Sequence, residues 1–266
     1  MKKKKGFCSL VITLALPPVL SFFLPVGQAW AARGREEALP PLIQGTRLED
    51  DYRAVASLGL ASTPLLAEEN PRQAFRNVLP SCVRIQASGH YGSGSIFQIG
   101  EDGVIIATNR HVLQYWEEDS YITFYNGSRG FARFLGSSQE ADVGFLCVPV
   151  GSLPYEELLS FRSVRPARGK AMEEGDGFFM VDMATRADEP VKREGEILSP
   201  QVYLEDFKGE MLLGKGEALP GMSGSGVFDG RGNYLGMVTG GTVYGEIAAV
   251  PAETIREEYK KLVKDT

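Results

Sequence analysis

At 266 residues, 43% hydrophobic and 23% charged, the chain has ordinary globular proportions and room for one or two domains. Its formal net charge is −6 and no basic run follows residue 5, which argues against nucleic acid and anionic membrane as partners. Two histidines and three cysteines, without metal-ligand spacing, argue against a structural zinc site; the chain shows no repeat and no nucleotide-binding loop, so no cofactor is implied.

Lys2 to Lys5 give a positive start, residues 7–26 are almost wholly apolar, and Ala29-Trp30-Ala31 has the small-x-small pattern of a cleavage site. This is the form of a secretory signal peptide over residues 1–31, with an exported mature chain beginning near Ala32. The alternative is an uncleaved N-terminal membrane anchor, since the stretch is long enough to span, although Pro17-Pro18 would break its helix in the middle. Cleavage removes Lys2 to Lys5 and no acid, leaving 24 basic against 34 acidic side chains. Cys8 leaves too. Cys82 and Cys147 remain, either as a disulfide or as two small buried core residues, and sequence does not give their separation. Residues 32–70 mix prolines, charges and short apolar pieces with a weak helical pattern at 47–60; they read as a linker or pro-segment, dispensable for the core that follows.

Residues 71–79 allow one short helix, and from Ser81 the period changes to two. Strands are expected at 82–85, 92–99, 104–107, 121–125, 131–136 and 143–148, with Asn126-Gly127 as a hairpin signal. After a link near 151–168 come further strands at 178–183, 196–203, 211–213, 226–228, 234–239 and 246–250. Residues 254–264 put Ile255, Tyr259, Leu262 and Val263 on one helical face. Many short strands in two series predict an all-β chain of two barrels, about 81–150 and 170–250, closed by a C-terminal α-helix, within one domain over 71–266.

Ser223 sits in Gly221-Met222-Ser223-Gly224-Ser225-Gly226. A serine hydroxyl becomes a nucleophile only with a base to take its proton and donors for the oxyanion. His111 directly follows a buried strand, and Asp142 opens another, so a His111, Asp142, Ser223 triad is the expected constellation. No histidine follows Ser223, and Ser225 lacks a glycine two residues earlier, which excludes the α/β-hydrolase order. Bland readings stand beside this one. Ser223 could occupy an ordinary glycine-rich turn, and Asp142 could only cap a strand. Asp102 is another acid, better explained by its Asp-Gly turn. His90, Ser93 and Ser95 read as loop or strand-turn residues.

Thr108-Asn109-Arg110-His111-Val112, Asp142-Val143-Gly144-Phe145-Leu146, the Ser223 hexapeptide and Gly92-Ser93-Gly94-Ser95 together resemble the motifs of bacterial trypsin-like serine proteases, closest to HtrA-type protease domains and glutamyl endopeptidases. Ala248-Ala249-Val250-Pro251 before the last helix resembles the family's ending. The resemblance covers about residues 71–264 and implies two six-stranded antiparallel β-barrels of chymotrypsin type with the triad between them. It implies an endopeptidase acting on protein or peptide, with the N–H groups of Gly221 and Ser223 as oxyanion hole. The substrate pocket would be walled by Glu217 and Ala218 on one side and by Thr239, Gly240 and Gly241 on the other. Met222 replaces the family's usual Asp or Asn, which leaves zymogen-type pairing with a freed N-terminus without its acid. No histidine stands on the strand after the serine motif, where glutamyl endopeptidases hold their acidic substrate side chain; Val238 is the nearest match, so selection of glutamate is not expected. The competing function is a protease-fold binding or scaffold protein without activity.

Overall fold

The computed structural model describes residues 41–167, 172–185 and 189–264. The expected signal peptide, residues 1–31, lies outside the described residues. Among those described, no helix is long and apolar enough to cross a membrane.

Thirteen strands and five α-helices follow in order: α1 (Pro41–Ser57), α2 (Pro71–Val78), β1 (Cys82–Ala87), β2 (His90–Gly100), β3 (Gly103–Thr108), α3 (Arg110–Leu113), β4 (Tyr121–Phe124), β5 (Arg129–Gly130), β6 (Arg133–Ser137), β7 (Gly144–Pro149), α4 (Tyr155–Ser160), β8 (Gly177–Asp182), β9 (Val191–Leu204), β10 (Gly209–Gly216), β11 (Gly226–Asp229), β12 (Tyr234–Gly241), β13 (Glu246–Pro251) and α5 (Ala252–Lys264), counted over the described residues. The second strand series closes into a six-stranded barrel, β10-β13-β12-β11-β8-β9. The first forms a curled seven-stranded sheet, β5-β4-β1-β2-β3-β7-β6. Its edge strands β5 and β6 are joined through Phe131 and Ala132 alone, so the chain itself spans the seam that a ladder would otherwise close. Every pairing between these strands is antiparallel, and two isolated bridges outside them, Ser62 with Ser163 and Pro166 with Tyr234, are parallel.

Three apolar clusters hold this arrangement. Val83, Ile85, Ile96, Ile106 and Leu146 fill the first sheet. Phe178, Met180, Ile197, Met222 and Val227 fill the second barrel. A third cluster, with Ala107 and Phe145 from the first unit and Phe179, Phe228 and Tyr234 from the second, joins the two and receives Ile255 of α5. Phe179 and Phe228 stack with centroids 5.6 Å apart, in the range where aromatic pairs attract beyond their burial.

Residues 41–70 depart from the linker expectation. Tyr52 of α1 is 1% exposed, belongs to the first sheet's cluster, and donates from its hydroxyl to Gly100 O at 2.8 Å. Thr63 N–H donates to Ser163 O and Ser163 N–H to Ala61 O, tying the segment to the link between the barrels. The weak helical pattern has a physical cause: over residues 47–57 α1 has one narrow buried stripe, Tyr52 and Ala56, among exposed or half-buried neighbours.

Cys82 and Cys147 are buried free thiols. They lie on β1 and β7, separated by β2 and β3 in the sheet. Three inter-strand steps amount to roughly 14 Å, about twice what a disulfide spans. Burial pushes the Cys82 thiol up to about 12, which keeps it protonated and inert.

Candidate active site

His111 lies on α3, a single helical turn directly after β3. The turn is anchored on the loop before β7. Arg110 Nη1 donates to Ser138 O at 3.1 Å and Gln139 O at 3.2 Å, and Asn109 Nδ2 donates to Asp142 O at 3.0 Å. The Asp142 carboxylate then grips His111 twice. Oδ1 accepts the backbone N–H at 3.0 Å, and Oδ2 lies 2.7 Å from Nδ1. The Thr239 hydroxyl donates to the same Oδ2. Burial pushes the Asp142 carboxyl up, but the His111 side chain, Thr239 and the His111 backbone N–H outweigh it and hold it below the usual carboxylate range. An ionised carboxylate only accepts, so Nδ1 carries the imidazole proton and Nε2 is left with its lone pair. The His111 ring is 43% exposed and the Asp142 side chain 17%, which puts the base at the surface of the cleft and the acid behind it.

Ser223 rides between Gly221 and Gly224, whose φ values are +94° and +89°. At Gly224 the glycine is obligatory for a second reason. A Cβ there would fall 1.9 Å from Ser93 O and 2.6 Å from Thr108 Oγ1. The serine loop is thus pressed directly onto β2 and β3, the strands that lead to His111. It is also bonded to them: Ser93 N–H donates to Ser223 O at 2.7 Å and Ser93 Oγ to Gly221 O at 3.0 Å. Thr108 Oγ1 donates to Ser93 O at 2.7 Å. On its other side, Gly224 N–H donates to Val238 O, one residue before Thr239. A closed circuit therefore runs from Ser223 through β2 and β3 to His111, on to Asp142, and back through Thr239 and Val238.

The sequence-expected residues fall into different parts of this circuit. His111 and Asp142 are in contact, and the Ser223 loop is bonded to the strands on either side of them. Asp102, the alternative acid, is in the turn between β2 and β3, at the end of β3 away from His111. Thr239, expected as a pocket wall, is 6% exposed and turns its hydroxyl to Asp142 instead. Gly240 and Gly241 follow it at the end of β12. A Cβ on Gly241 would meet the Ala218 Cβ at 2.7 Å, so this end of β12 stands close to the loop after β10; the Phe207 ring covers Gly240. The Glu217 carboxylate pairs with the Arg193 guanidinium. Ser93 is the holding residue that sequence reasoning read as a plain turn; its signal was a hydroxyl in a glycine-flanked strand one hairpin ahead of the histidine. The His90 ring, at the start of β2, stacks on Tyr115 with centroids 3.8 Å apart.

No group of three or more His, Cys, Asp or Glu side chains among the described residues is arranged to hold a metal ion. A concavity of about 480 Å³ between the end of α1, β2 and α5 is walled by Ala56, Phe97, Ile99 and Tyr259, and shares no lining residue with the circuit around Ser223.

The family described as trypsin-like peptidase domain matches residues 92–237. No curated protein matches the sequence. Among solved structures, an inactive serine-to-alanine form of Rv3671c from M. tuberculosis H37Rv aligns with a TM-score of 0.59 at 16% identity, covering 76% of this chain and 97% of that one. The HtrA-type protease AlgW, solved with a tripeptide, aligns with a TM-score of 0.61 at 18% identity, covering 74% of this chain and 64% of that one. These likenesses show the fold alone: a chymotrypsin-like pairing in which the second unit is a closed six-stranded barrel and the first, expected as another, is an open curled sheet of seven strands.

Proposed function

The chain belongs to the trypsin-like peptidase family of serine endopeptidases, and on that premise we propose that it cleaves peptide bonds through Ser223, His111 and Asp142 by way of an acyl-enzyme. The observation that carries this reading is the double grip of Asp142 on His111, at the ring and at the backbone. It fixes the tautomer that presents Nε2 as a base. In the reaction His111 Nε2 takes the Ser223 hydroxyl proton as Oγ attacks the carbonyl carbon. The N–H groups of Gly221 and Ser223 take up the oxyanion, and His111 returns the proton to the leaving amine. A water, deprotonated by the same nitrogen, then releases the acid product. Fluorophosphonate labelling of the mature protein tests the reading: the wild type labels stoichiometrically, and Ser223→Ala does not. Equal labelling of both overturns it.

The reading extends to specificity and location. Ala218 stands so close to Gly241 that a Cβ on the glycine would lie 2.7 Å from its Cβ, so a pocket between them is shallow and suits a small apolar side chain over a long one. The Arg193 cation is shared by Asp182 and Glu217, so it is not free for an acidic substrate side chain, and Glu217 is already paired against a basic one. A peptide-library profile is expected to show cleavage after small apolar residues; dominant cleavage after Glu, Arg or Lys contradicts this pocket. The apolar stretch over residues 7–26 and Ala29-Trp30-Ala31 support export with removal of residues 1–31. The folded unit then extends upstream of residue 71, to take in α1.

A further inference from the structure

The position before the nucleophile is filled by Met222, fully buried, whose side chain accepts the Leu219 N–H at Sδ, 3.2 Å away. No carboxylate stands there to receive a cation. An ion pair lies one layer further out. Asp182, the last residue of β8, has a side chain with no exposed surface, and its carboxylate accepts the N–H of Ala184 at 3.1 Å and of Thr185 at 3.0 Å, the Thr185 hydroxyl, and Arg193 Nε at 2.8 Å. Arg193, on β9 and opposite Met180 of β8, turns its Nη1 to the Glu217 carboxylate.

One arm of this network ends on the loop that carries Ser223, and the other stands against it. Glu217 is the first residue after β10 and begins that loop. Ala184, fixed by Asp182, stands where a Cβ on Gly221 would come within 2.9 Å, so it backs the peptide whose N–H is needed for the oxyanion. One buried carboxylate and one forked cation thereby fix two separate points of the oxyanion loop from outside. A guanidinium suits the task because its fork holds two carboxylates at once in a planar geometry, which an ammonium does not reproduce.

We propose that Arg193 is a positioning residue for the oxyanion loop, setting the Gly221–Ser223 N–H groups by tying Glu217 to the buried Asp182. The inference rests on the serine endopeptidase reading of the same site. It assigns Arg193 no contact with substrate, and it predicts a loss in the chemical step rather than in binding, since displaced donors fail the transition state more than the ground state.

The test compares mature wild-type protein with Arg193→Gln, Glu217→Ala and the double variant. The readouts are kcat and KM on a peptide taken from the library profile, the second-order rate of fluorophosphonate labelling, and circular dichroism as a check of fold. Arg193→Gln is expected to lose about 100-fold in kcat with KM unchanged, and to label more slowly by the same factor. Glu217→Ala is expected to lose about tenfold, and the double variant to be no worse than Arg193→Gln, because both changes cut the same tie. A folded Arg193→Gln with wild-type kcat, or a loss confined to KM, overturns the proposal. Should Arg193→Gln not fold, Glu217→Ala decides alone, since its side chain is 66% exposed and its removal leaves the Arg193–Asp182 pair in place; wild-type kcat and labelling there overturn the proposal equally. A wild type that neither labels nor hydrolyses peptide overturns the endopeptidase reading, and the inference with it. An active wild type with unaffected variants overturns the inference alone.

Discussion

At the scale of single residues the site depends on which oxygen each donor reaches. Asp142 Oδ2 takes two donors, the His111 ring and the Thr239 hydroxyl, while Oδ1 takes the His111 backbone. The second donor matters because it orients the carboxylate from the opposite barrel, so that the acid is held by both halves of the molecule. Thr239→Val keeps the shape and removes the donor. A hydrogen bond to a charged group contributes about 1.5–3 kcal/mol, which corresponds to a roughly ten- to hundredfold fall in kcat/KM. Because Thr239 faces Asp142, steady-state kinetics should place the loss in kcat, with KM and the cleavage profile unmoved and Thr239→Ser restoring most of the rate. A changed cleavage profile with full kcat would return Thr239 to the pocket wall.

Among the elements, α1 is the one whose role the strand pattern concealed. It is an addition to the first sheet rather than a tether, and its contribution is concentrated in Tyr52. That side chain fills space among the apolar residues of the sheet and ends in a bond to Gly100 O. Tyr52→Ala is expected to lower unfolding free energy by about 3–5 kcal/mol, as aromatic truncations in cores do, and Tyr52→Phe by about 1 kcal/mol for the hydroxyl alone. Urea denaturation of the mature protein measures both. Limited proteolysis supplies an independent check, because a packed α1 resists cutting between residues 47 and 63 under native conditions. Unchanged stability in Tyr52→Ala, with early cleavage in this region, would restore the linker reading.

For the molecule as a whole, two carboxylates join its parts: half-buried Asp142 bridges the first sheet and the second barrel, and buried Asp182 joins strand to loop within the second. Both are held below the usual carboxylate range, because their hydrogen bonds and charged partners outweigh the burial that would raise them. A depressed native value means that the unfolded chain binds more protons at acid pH. The stability these groups contribute is therefore present in full above the ordinary carboxylate range, and is lost as pH falls below about 4 and through the native values. Asp142→Asn removes one titration. It is expected to be less stable than wild type at pH 6, with the gap closing as pH falls below about 4, as followed by urea midpoints at each pH. A gap that stays constant with pH would show that Asp142 titrates alike in the folded and unfolded states.

What the sequence by itself determined was the local and the periodic. Alternation with turn residues located all the main strands, since side chains on opposite faces of a strand meet different media and the pattern records that difference. The pairing of His111 with Asp142 and the glycine turn around Ser223 were legible because residue type is constrained at each point. Tertiary structure alone decided what depends on separation in space. The direction of the Thr239 side chain, the clamp of Ser93 on Gly221 and Ser223, the bridge of Arg193 between Asp182 and Glu217, and the 14 Å class of distance that keeps Cys82 from Cys147 join residues remote in the chain. A hydroxyl, a guanidinium or a thiol carries the same letter whether it faces solvent, substrate or a partner strand. Helix α1 was half legible because a single buried stripe is a faint periodic signal, and only the surface it packs against gives that stripe a core to enter.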